Sequence, residues 1–139
     1  MVITKKDMEL IEIATKVVLD NLDLYPNPAQ TVGCALLAKS GKIYKGINIM
    51  NSHSICSEQV AIGQAFACGE REFDTIVAVK MCEDGTTRVI SPCGVCRYLF
   101  DKLQLDTKII VEDVDKDIIL KVKIKDLLPY PYRREDEKK

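Results

Sequence analysis

Apolar residues recur along the chain with two periods, one typical of helices and the other of strands. Over residues 8–22 they return about every 3.6 positions, following Thr4, a residue type that favours the start of a helix. A second helix, rich in small side chains, is predicted over about 56–68. A third is predicted to start at Ser91 and Pro92, because serine at the cap and proline at the first helical position favour a helix start.

Shorter apolar runs between these helices predict the strands of a sheet. The predicted strands are at residues 31–38, 42–49, 75–79, 107–112 and 118–124. The resulting order, α-β-β-α-β-α-β-β, predicts an α/β fold with three layers (α/β/α), in which helices cover both faces of a mixed five-stranded sheet. We expect a single domain over 1–132, followed by a charged tail, 133–139, that has no apolar residue and is flexible.

Composition and charge narrow the classes of protein that the chain can belong to. Its 139 residues are typical of one domain, and its 20 basic and 21 acidic residues give a net charge of −1. Such a chain has no basic field for a phosphate backbone, so no nucleic-acid partner is expected. The N-terminus lacks a signal-peptide pattern, and no apolar run approaches the length of a membrane span. We therefore expect no membrane association and a cytoplasmic protein, whose six cysteines are metal ligands, catalytic groups or core residues rather than disulfides.

Cys93 and Cys96 are the first residues with candidate chemistry, in the first turn of the third predicted helix. Residues three apart share a helix face, so both sulfurs can reach one metal ion. The free amides of a helix start also favour the thiolate form that zinc requires. A thioredoxin-like redox pair lies at a helix start after a strand as well, so this motif alone leaves a redox protein as an alternative.

A second group, Cys56-Ser57-Glu58, opens another predicted helix and favours the metal site. Two helix starts that converge on one ion would donate three sulfurs, from Cys56, Cys93 and Cys96, and leave the fourth position open to water. That pattern is typical of catalytic zinc. Glu58 could then take a proton from the water and pass it to a substrate nitrogen, although a solvated carboxylate at a helix start is the plainer alternative.

Cys34, Cys68 and Cys82 are most simply small buried residues. Any one of them could instead complete a closed four-ligand site, so a protein with only a structural zinc is a further alternative. That alternative gives Glu58 and Arg97 no role, and the catalytic interpretation is therefore favoured.

The segments Cys56-Ser-Glu58 and Pro92-Cys-Gly-Val-Cys-Arg97 resemble the two motifs of the cytidine deaminase family of zinc hydrolases. The resemblance covers nearly the whole chain. It implies that Cys56, Cys93 and Cys96 hold Zn²⁺ and that Glu58 is the catalytic proton shuttle. The implied reaction is hydrolysis at C4 of the cytosine ring of a small nucleoside, cytidine or deoxycytidine, in which Glu58 protonates N3 and ammonia is released.

The same resemblance assigns residues outside the two motifs. Asn48 matches an asparagine that contacts the sugar, and Tyr132 matches a C-terminal aromatic residue that lines the pocket of a neighbouring subunit. A homo-oligomer, typically a tetramer, is therefore expected. Three-cysteine members often carry an arginine directly after the glutamate, where this chain has Gln59. Arg97 and the two helix dipoles are the remaining candidates for withdrawing charge from the sulfurs.

Departures from the family pattern favour the blasticidin-S deaminase branch as the alternative function. Met50 stands where the nucleoside enzymes of the family have a glutamate that holds the ribose. A thioether cannot bind a sugar hydroxyl in the way that a carboxylate does. The loop 51–55 is also short for a cytidine deaminase. The substrate of the blasticidin-S branch is a cytosine nucleoside antibiotic with an unusual sugar and a peptide-like arm.

Overall fold

The helices and strands of the computed structural model follow the apolar pattern of the sequence closely. The structure describes residues 1–103 and 105–137. The helices in this part of the chain are α1 (Lys5–Leu19), α2 (Ser57–Ala67), α3 (Gly94–Lys102) and the short α4 (Ile124–Leu127). The strands are β1 (Val32–Ala38), β2 (Ile43–Ile47), β3 (Phe73–Met81), β4 (Thr87–Ile90), β5 (Lys108–Asp113) and β6 (Ile118–Lys123). Single-turn 3₁₀ helices lie at Pro28–Gln30 and Glu135–Glu137.

The six strands of the described residues belong to one mixed sheet, with the order β2-β1-β3-β5-β6 and with β4 paired to β3. β3 runs parallel to β5 and antiparallel to β1 and β4. The predicted α/β class is thus confirmed, but the sheet has six strands rather than five. β4 is four residues long and includes Thr87 and Arg88, so its sequence carries no apolar run that would predict a strand.

α1 covers one face of the sheet. Its start is fixed by a capping box, in which the Thr4 hydroxyl accepts a hydrogen bond from the Asp7 amide (3.2 Å) and the Asp7 carboxylate accepts one from the Thr4 amide (2.9 Å). Behind it lies an apolar cluster shared by α1 and the sheet. The buried members of this cluster are Leu10, Ala14, Val18, Ala35, Leu37, Val77, Val79, Met81, Val89 and Ile110.

α2 and α3 pack against the opposite face, so the chain has the predicted three layers. Side chains of both helices share one core cluster with the sheet, among them Ala61 and Ile62 of α2 and Phe100 of α3. The contact between α2 and β2 is especially close. A Cβ atom at Gly46 would lie only 2.1 Å from the carbonyl oxygen of Ser57, so a glycine at this position allows the first turn of α2 to lie directly against the sheet.

The start of α3 differs from the prediction. The helix begins at Gly94, with Cys93 as its N-cap, so Ser91 and Pro92 precede the helix instead of opening it. The Ser91 hydroxyl is engaged elsewhere, in hydrogen bonds with the backbone of Glu112 on β5. A tertiary contact has therefore replaced the local cap that the sequence favours.

The C-terminal segment lies against α3. Arg133 pairs with Asp101 of that helix at 2.5 Å, and Lys102 pairs with Glu137. The last two residues of the predicted flexible tail, 138–139, lie outside the described residues, and the division of the chain at residue 132 stays a prediction. No helix in the described part of the chain has the length and apolar character needed to span a membrane.

Candidate metal centre and active site

Three cysteines meet where two helices begin. Cys56 is the N-cap of α2 and Cys93 is the N-cap of α3, while Cys96 lies in the first turn of α3. Their Sγ atoms all lie within 4.8 Å of one another, and those of Cys56 and Cys93 are 3.5 Å apart. The structure thus brings together the three residues that the sequence predicted as metal ligands.

The three sulfurs fit a zinc ion in spacing and in chemistry. Sulfurs bound to one tetrahedral zinc at about 2.3 Å are about 3.8 Å apart. Burial raises the pKa of Cys56 to about 11, with a hydrogen bond to Cys93 adding to the effect, and it raises the pKa of Cys96 strongly. Burial opposes ionisation of Cys93 as well, but hydrogen bonds from the Cys96 amide and the Cys56 thiol lower its pKa overall. Three thiols this close resist ionising together, and a divalent cation would stabilise all three thiolates.

The other cysteines do not join this group. Among the described residues, the metal-competent cluster consists of Cys56, Cys93 and Cys96. Cys34 is buried as expected, Cys82 is half-buried, and Cys68 is exposed rather than buried. A three-sulfur cluster is suited to a zinc ion with an open fourth position, as in catalytic sites.

Glu58 provides the buried acid of the site. Only 6% of the residue is exposed. Burial raises the pKa of its carboxyl group above the ordinary value, against hydrogen bonds from its own amide, the Ser57 hydroxyl and the Cys96 thiol. A carboxyl group whose pKa is shifted towards neutrality can both accept and return a proton.

Two further residues in the first turn of α2 support the site and were not predicted. Ser57 is fully buried, and its hydroxyl lies 3.1 Å from Oε1 of Glu58, to which it donates a hydrogen bond. The Gln59 side chain accepts a hydrogen bond from the Cys56 amide at 3.1 Å, which fixes the backbone of that cysteine. Glutamine three residues after an N-cap is half of a capping box, but a cysteine cap is not a typical signal. Ser57 was noted only as the middle residue of the Cys56–Glu58 motif, and no role was predicted for it.

A cavity of about 190 Å³ opens beside the thiols and Glu58. Apolar atoms make up most of the exposed surface of its wall, although half of the lining residues are polar. The residues that line it are Val32, Asn48, Ser54, Ile55, Cys56, Ser57, Glu58, Ile90, Ser91 and Cys93. A cavity with a mostly apolar surface and a few polar groups in its wall is suited to a small, flat ring that must be held in one orientation.

The remaining predicted site residues lie at different distances from this cavity. Asn48 lines it, but its side chain already accepts a hydrogen bond from the Val32 amide (2.9 Å) and donates one to the Gln30 carbonyl (2.7 Å). Tyr132 is 72% exposed and is not part of the cavity wall. The structure therefore places Asn48 at the site and Tyr132 outside it within one subunit.

Arg97 holds the loop that precedes α3. Its Nε donates to the carbonyl of Pro92 (2.8 Å) and its Nη1 donates to the carbonyl of Leu127 (3.3 Å). These bonds connect the Cys93 loop to the end of α4. The influence of Arg97 on the sulfurs stays a prediction.

Fold and site together define a class of protein. Two helix starts on a three-layer α/β/α scaffold bring three thiols together with a buried carboxyl group that lines a cavity, an arrangement typical of the site of a metal-dependent hydrolase. Comparisons with known proteins make this class more specific. The family model described as the cytidine and deoxycytidylate deaminase zinc-binding region matches residues 4–112.

Individual proteins give the same result over most of the chain. A blasticidin-S deaminase from Bacillus cereus is 35% identical over 139 residues, covering 95% of this chain and 96% of its own length. A cytidine deaminase from Halalkalibacterium halodurans is 35% identical over 109 residues, or 76% of this chain and 79% of its own. The crystal structure of the cytidine deaminase from Burkholderia pseudomallei is similar with a TM-score of 0.70 and 27% identity, over 90% of this chain and 98% of that one.

The chain belongs to the cytidine and deoxycytidylate deaminase family. It is a zinc-dependent hydrolase that deaminates the cytosine ring, and the resemblance on which the sequence prediction rested is confirmed.

Proposed function

We propose that the chain converts the cytosine ring of a small nucleoside, cytidine or deoxycytidine, to a uracil ring with release of ammonia. In this proposal Cys56, Cys93 and Cys96 hold the zinc ion and Glu58 is the catalytic acid and base. The observation that carries the proposal is the position of Glu58, a buried carboxyl group that shares the cavity wall with Cys56 and Cys93.

The residues of the chain account for the proton movements that the reaction needs. When bound, zinc supplies the positive charge that makes a water molecule nucleophilic at neutral pH. Glu58 accepts a proton as oxygen adds to C4 and delivers a proton to N3 of the ring. It then takes the proton of the new hydroxyl group on C4 and passes it to the exocyclic amino group, so that the C4 carbonyl forms as the C4–N bond breaks and ammonia leaves. Ser57 donates a hydrogen bond to Oε1 of Glu58, which helps to hold the carboxyl group in place for these transfers.

The sugar end of the substrate has fewer partners in this subunit. Asn48 keeps one amide hydrogen and part of its carbonyl capacity after its two backbone bonds, and we propose that it uses them on the sugar. Tyr132 is proposed to contact the substrate of a neighbouring subunit in a homotetramer. Its exposure supports this, as does the Arg133–Asp101 pair that anchors the adjacent residue. Light scattering on the purified protein tests the tetramer, and a monomer that turns over substrate would contradict it.

We further propose a cytoplasmic role in pyrimidine salvage, which suits free thiols as metal ligands and a nucleoside substrate. This role depends on cytidine or deoxycytidine being the substrate.

Blasticidin S is the second candidate substrate, and two observations favour it. The blasticidin-S deaminase relative aligns over almost the full length of both chains, whereas the cytidine deaminase relative aligns over about three quarters. In addition, Met50 is an exposed thioether at the position where a ribose-binding carboxylate was expected. A sugar without the usual diol would lose nothing at this position.

Ammonia release from cytidine, deoxycytidine and blasticidin S, offered separately to the zinc-loaded protein, tests the proposal. Chelator-treated protein is the control. We expect zinc-dependent ammonia release, with a kcat/KM for cytidine or deoxycytidine that is higher than the kcat/KM for blasticidin S. A kcat/KM at least tenfold higher for blasticidin S would assign the antibiotic as the preferred substrate. No release from any of the three by folded, zinc-loaded protein would overturn both assignments.

A further inference from the structure

β3 offers one edge to two different strands. Its residues Thr75 and Ile76 pair with β5, whereas the segment Ala78–Met81 pairs with β4. β5 continues alongside β6 beyond this point. The sheet therefore forks, with the end of β4 on one side of the fork and the second half of β5 on the other. The Cys93 loop leaves the sheet at this fork, directly after β4.

One serine side chain bridges the fork. The hydroxyl of Ser91 accepts a hydrogen bond from the Glu112 amide (3.3 Å) and donates one to the Glu112 carbonyl (3.2 Å). A hydroxyl has both donor and acceptor capacity, so it can replace the two backbone groups that a neighbouring strand would have offered. A second link, between Arg88 of β4 and the Glu112 carboxylate at 3.5 Å, is more exposed and contributes less.

Ser91 is also next to the metal cluster. It lines the same cavity as Cys93, which follows two residues later, and the carbonyl of the intervening Pro92 accepts a hydrogen bond from Arg97. Two of the three sulfurs belong to the start of α3 and the third belongs to the start of α2. Their mutual spacing therefore depends on how firmly each helix start is held against the sheet. The close contact at Gly46 holds α2, and the Ser91 bridge is the corresponding contact for α3.

From this geometry we infer that Ser91 is a positioning residue, whose hydroxyl bridge to Glu112 fixes Cys93 and Cys96 relative to Cys56 and so slows the loss of zinc. The inference concerns the same site as the proposed function, but it does not depend on which nucleoside is deaminated. Hydrogen-bonding groups just outside a metal site typically change metal affinity by about 10–100-fold when they are removed. A loosened loop acts mainly on the rate at which the ion leaves.

The test is the rate of zinc transfer from the loaded protein to a chromogenic chelator, measured without substrate. Ser91→Val removes the hydroxyl group. Ser91→Thr keeps it on a side chain of nearly the same shape as valine, so a comparison of these two variants isolates the effect of the hydrogen bonds. We expect release from the valine variant to be about tenfold faster than from the wild type, and release from the threonine variant to stay within about twofold. Ser91→Ala repeats the test with a smaller side chain and is expected to follow valine.

Two controls separate positioning from general destabilisation. Val89→Ala weakens the core beneath β4 without touching the bridge, and Ser40→Ala removes a serine that bonds a carboxylate, Glu70, away from the metal cluster. Both should release zinc at the wild-type rate at a temperature where circular dichroism shows all variants folded. The inference is overturned if Ser91→Val and Ser91→Ala release zinc as slowly as the wild type, or if Val89→Ala releases it as fast as they do. Failure of the wild type to deaminate cytidine would affect the proposed substrate but not this ordering of release rates.

Discussion

Asp7 and Glu58 are two buried carboxyl groups in the first turns of helices on opposite faces of the sheet. Their exposures are nearly equal, at 5% and 6%. Asp7 lies 2.8 Å from the ammonium group of Lys121. Burial tends to raise its pKa, but the hydrogen bond to Lys121 and those to Thr4 lower it overall. The partners of Glu58 are a hydroxyl, a thiol and its own amide, and burial raises its pKa.

This difference shows that a buried carboxyl group in the first turn of a helix can serve two purposes. On the α1 face a cation compensates the buried charge, so Asp7 stays ionised and stabilises the fold. On the α2 and α3 face, neutral groups surround Glu58 next to three thiols, so the carboxyl group can change its protonation state. Burial alone therefore does not identify a functional carboxylate. A functional carboxylate is indicated when it is buried beside a metal-competent cluster and has no cationic side chain as a partner.

Removing one sulfur should have the largest effect on the functional side of the comparison. Cys96→Ala takes away a buried member of the cluster, and we expect zinc affinity to fall by more than about a hundredfold, since even groups outside the ligand set contribute 10–100-fold. The variant should lose both its turnover and the zinc that the wild type retains after dialysis. Cys34→Ala is the matched control, a buried cysteine outside the cluster. It should cost about 1 kcal/mol of folding stability and keep its zinc; equal zinc loss in both variants would contradict the assignment.

A methyl group added at Gly46 should be the next largest perturbation. With its Cβ only 2.1 Å from the Ser57 carbonyl, Gly46→Ala must push the first turn of α2 away from β2, at a cost of about 3 kcal/mol. Urea unfolding measures this cost, and zinc titration should show weaker binding because Cys56 moves with the helix. Gly63 lies in α2 and has open space around it, so Gly63→Ala should instead stabilise the protein by about 0.5–1 kcal/mol. The account fails here if Gly46→Ala is as stable as Gly63→Ala.

The structural side of the comparison is tested at Lys121. Replacing it by methionine leaves Asp7 buried without its cation, and we expect a loss of about 2 kcal/mol in the free energy of unfolding at pH 7, with kcat unchanged. The pKa of Asp7 is lowered in the folded state, so its contribution is complete above the unfolded value of about 3.9 and is lost as pH falls through the folded value. The difference in stability between wild type and Lys121→Met should therefore shrink in acid. A difference that grows in acid would reverse the assigned sign.

Arg97→Ala should have the smallest of these effects. Arg97 donates hydrogen bonds to the Pro92 and Leu127 carbonyls. Its predicted role is to withdraw charge from the sulfurs. We expect turnover to fall about tenfold while metal content, measured on the same sample, falls much less. Equal losses of activity and zinc would mean that Arg97 only holds the fold together.

Much of this molecule follows from local sequence. The 3.6-residue pattern located α1, the apolar runs located β1, β3 and β5, and the two cysteine motifs at helix starts located the metal-competent cluster. These features depend on periodicity and on short spacings, which a sequence displays directly.

The features that sequence analysis missed depend on contacts between distant segments. β4 is stabilised by pairing with β3 rather than by its own apolar content, and Ser91 bonds Glu112, 21 residues away, instead of capping α3. Asn48 was predicted as a residue that contacts the sugar. Its side-chain hydrogen bonds to the backbone of Gln30 and Val32 could not be predicted, because they form only when β1 and β2 pair as a hairpin. No local pattern contains such information.

The most direct test of the central comparison removes the charge from each carboxyl group in turn. Glu58→Gln and Asp7→Asn are prepared with zinc, and cytidine deamination and urea unfolding are measured on both. The account predicts that Glu58→Gln loses about a thousandfold in kcat with its zinc and stability retained, whereas Asp7→Asn loses about 2 kcal/mol of stability and keeps its kcat. Substantial turnover by Glu58→Gln, or a loss of kcat in folded Asp7→Asn, would contradict it.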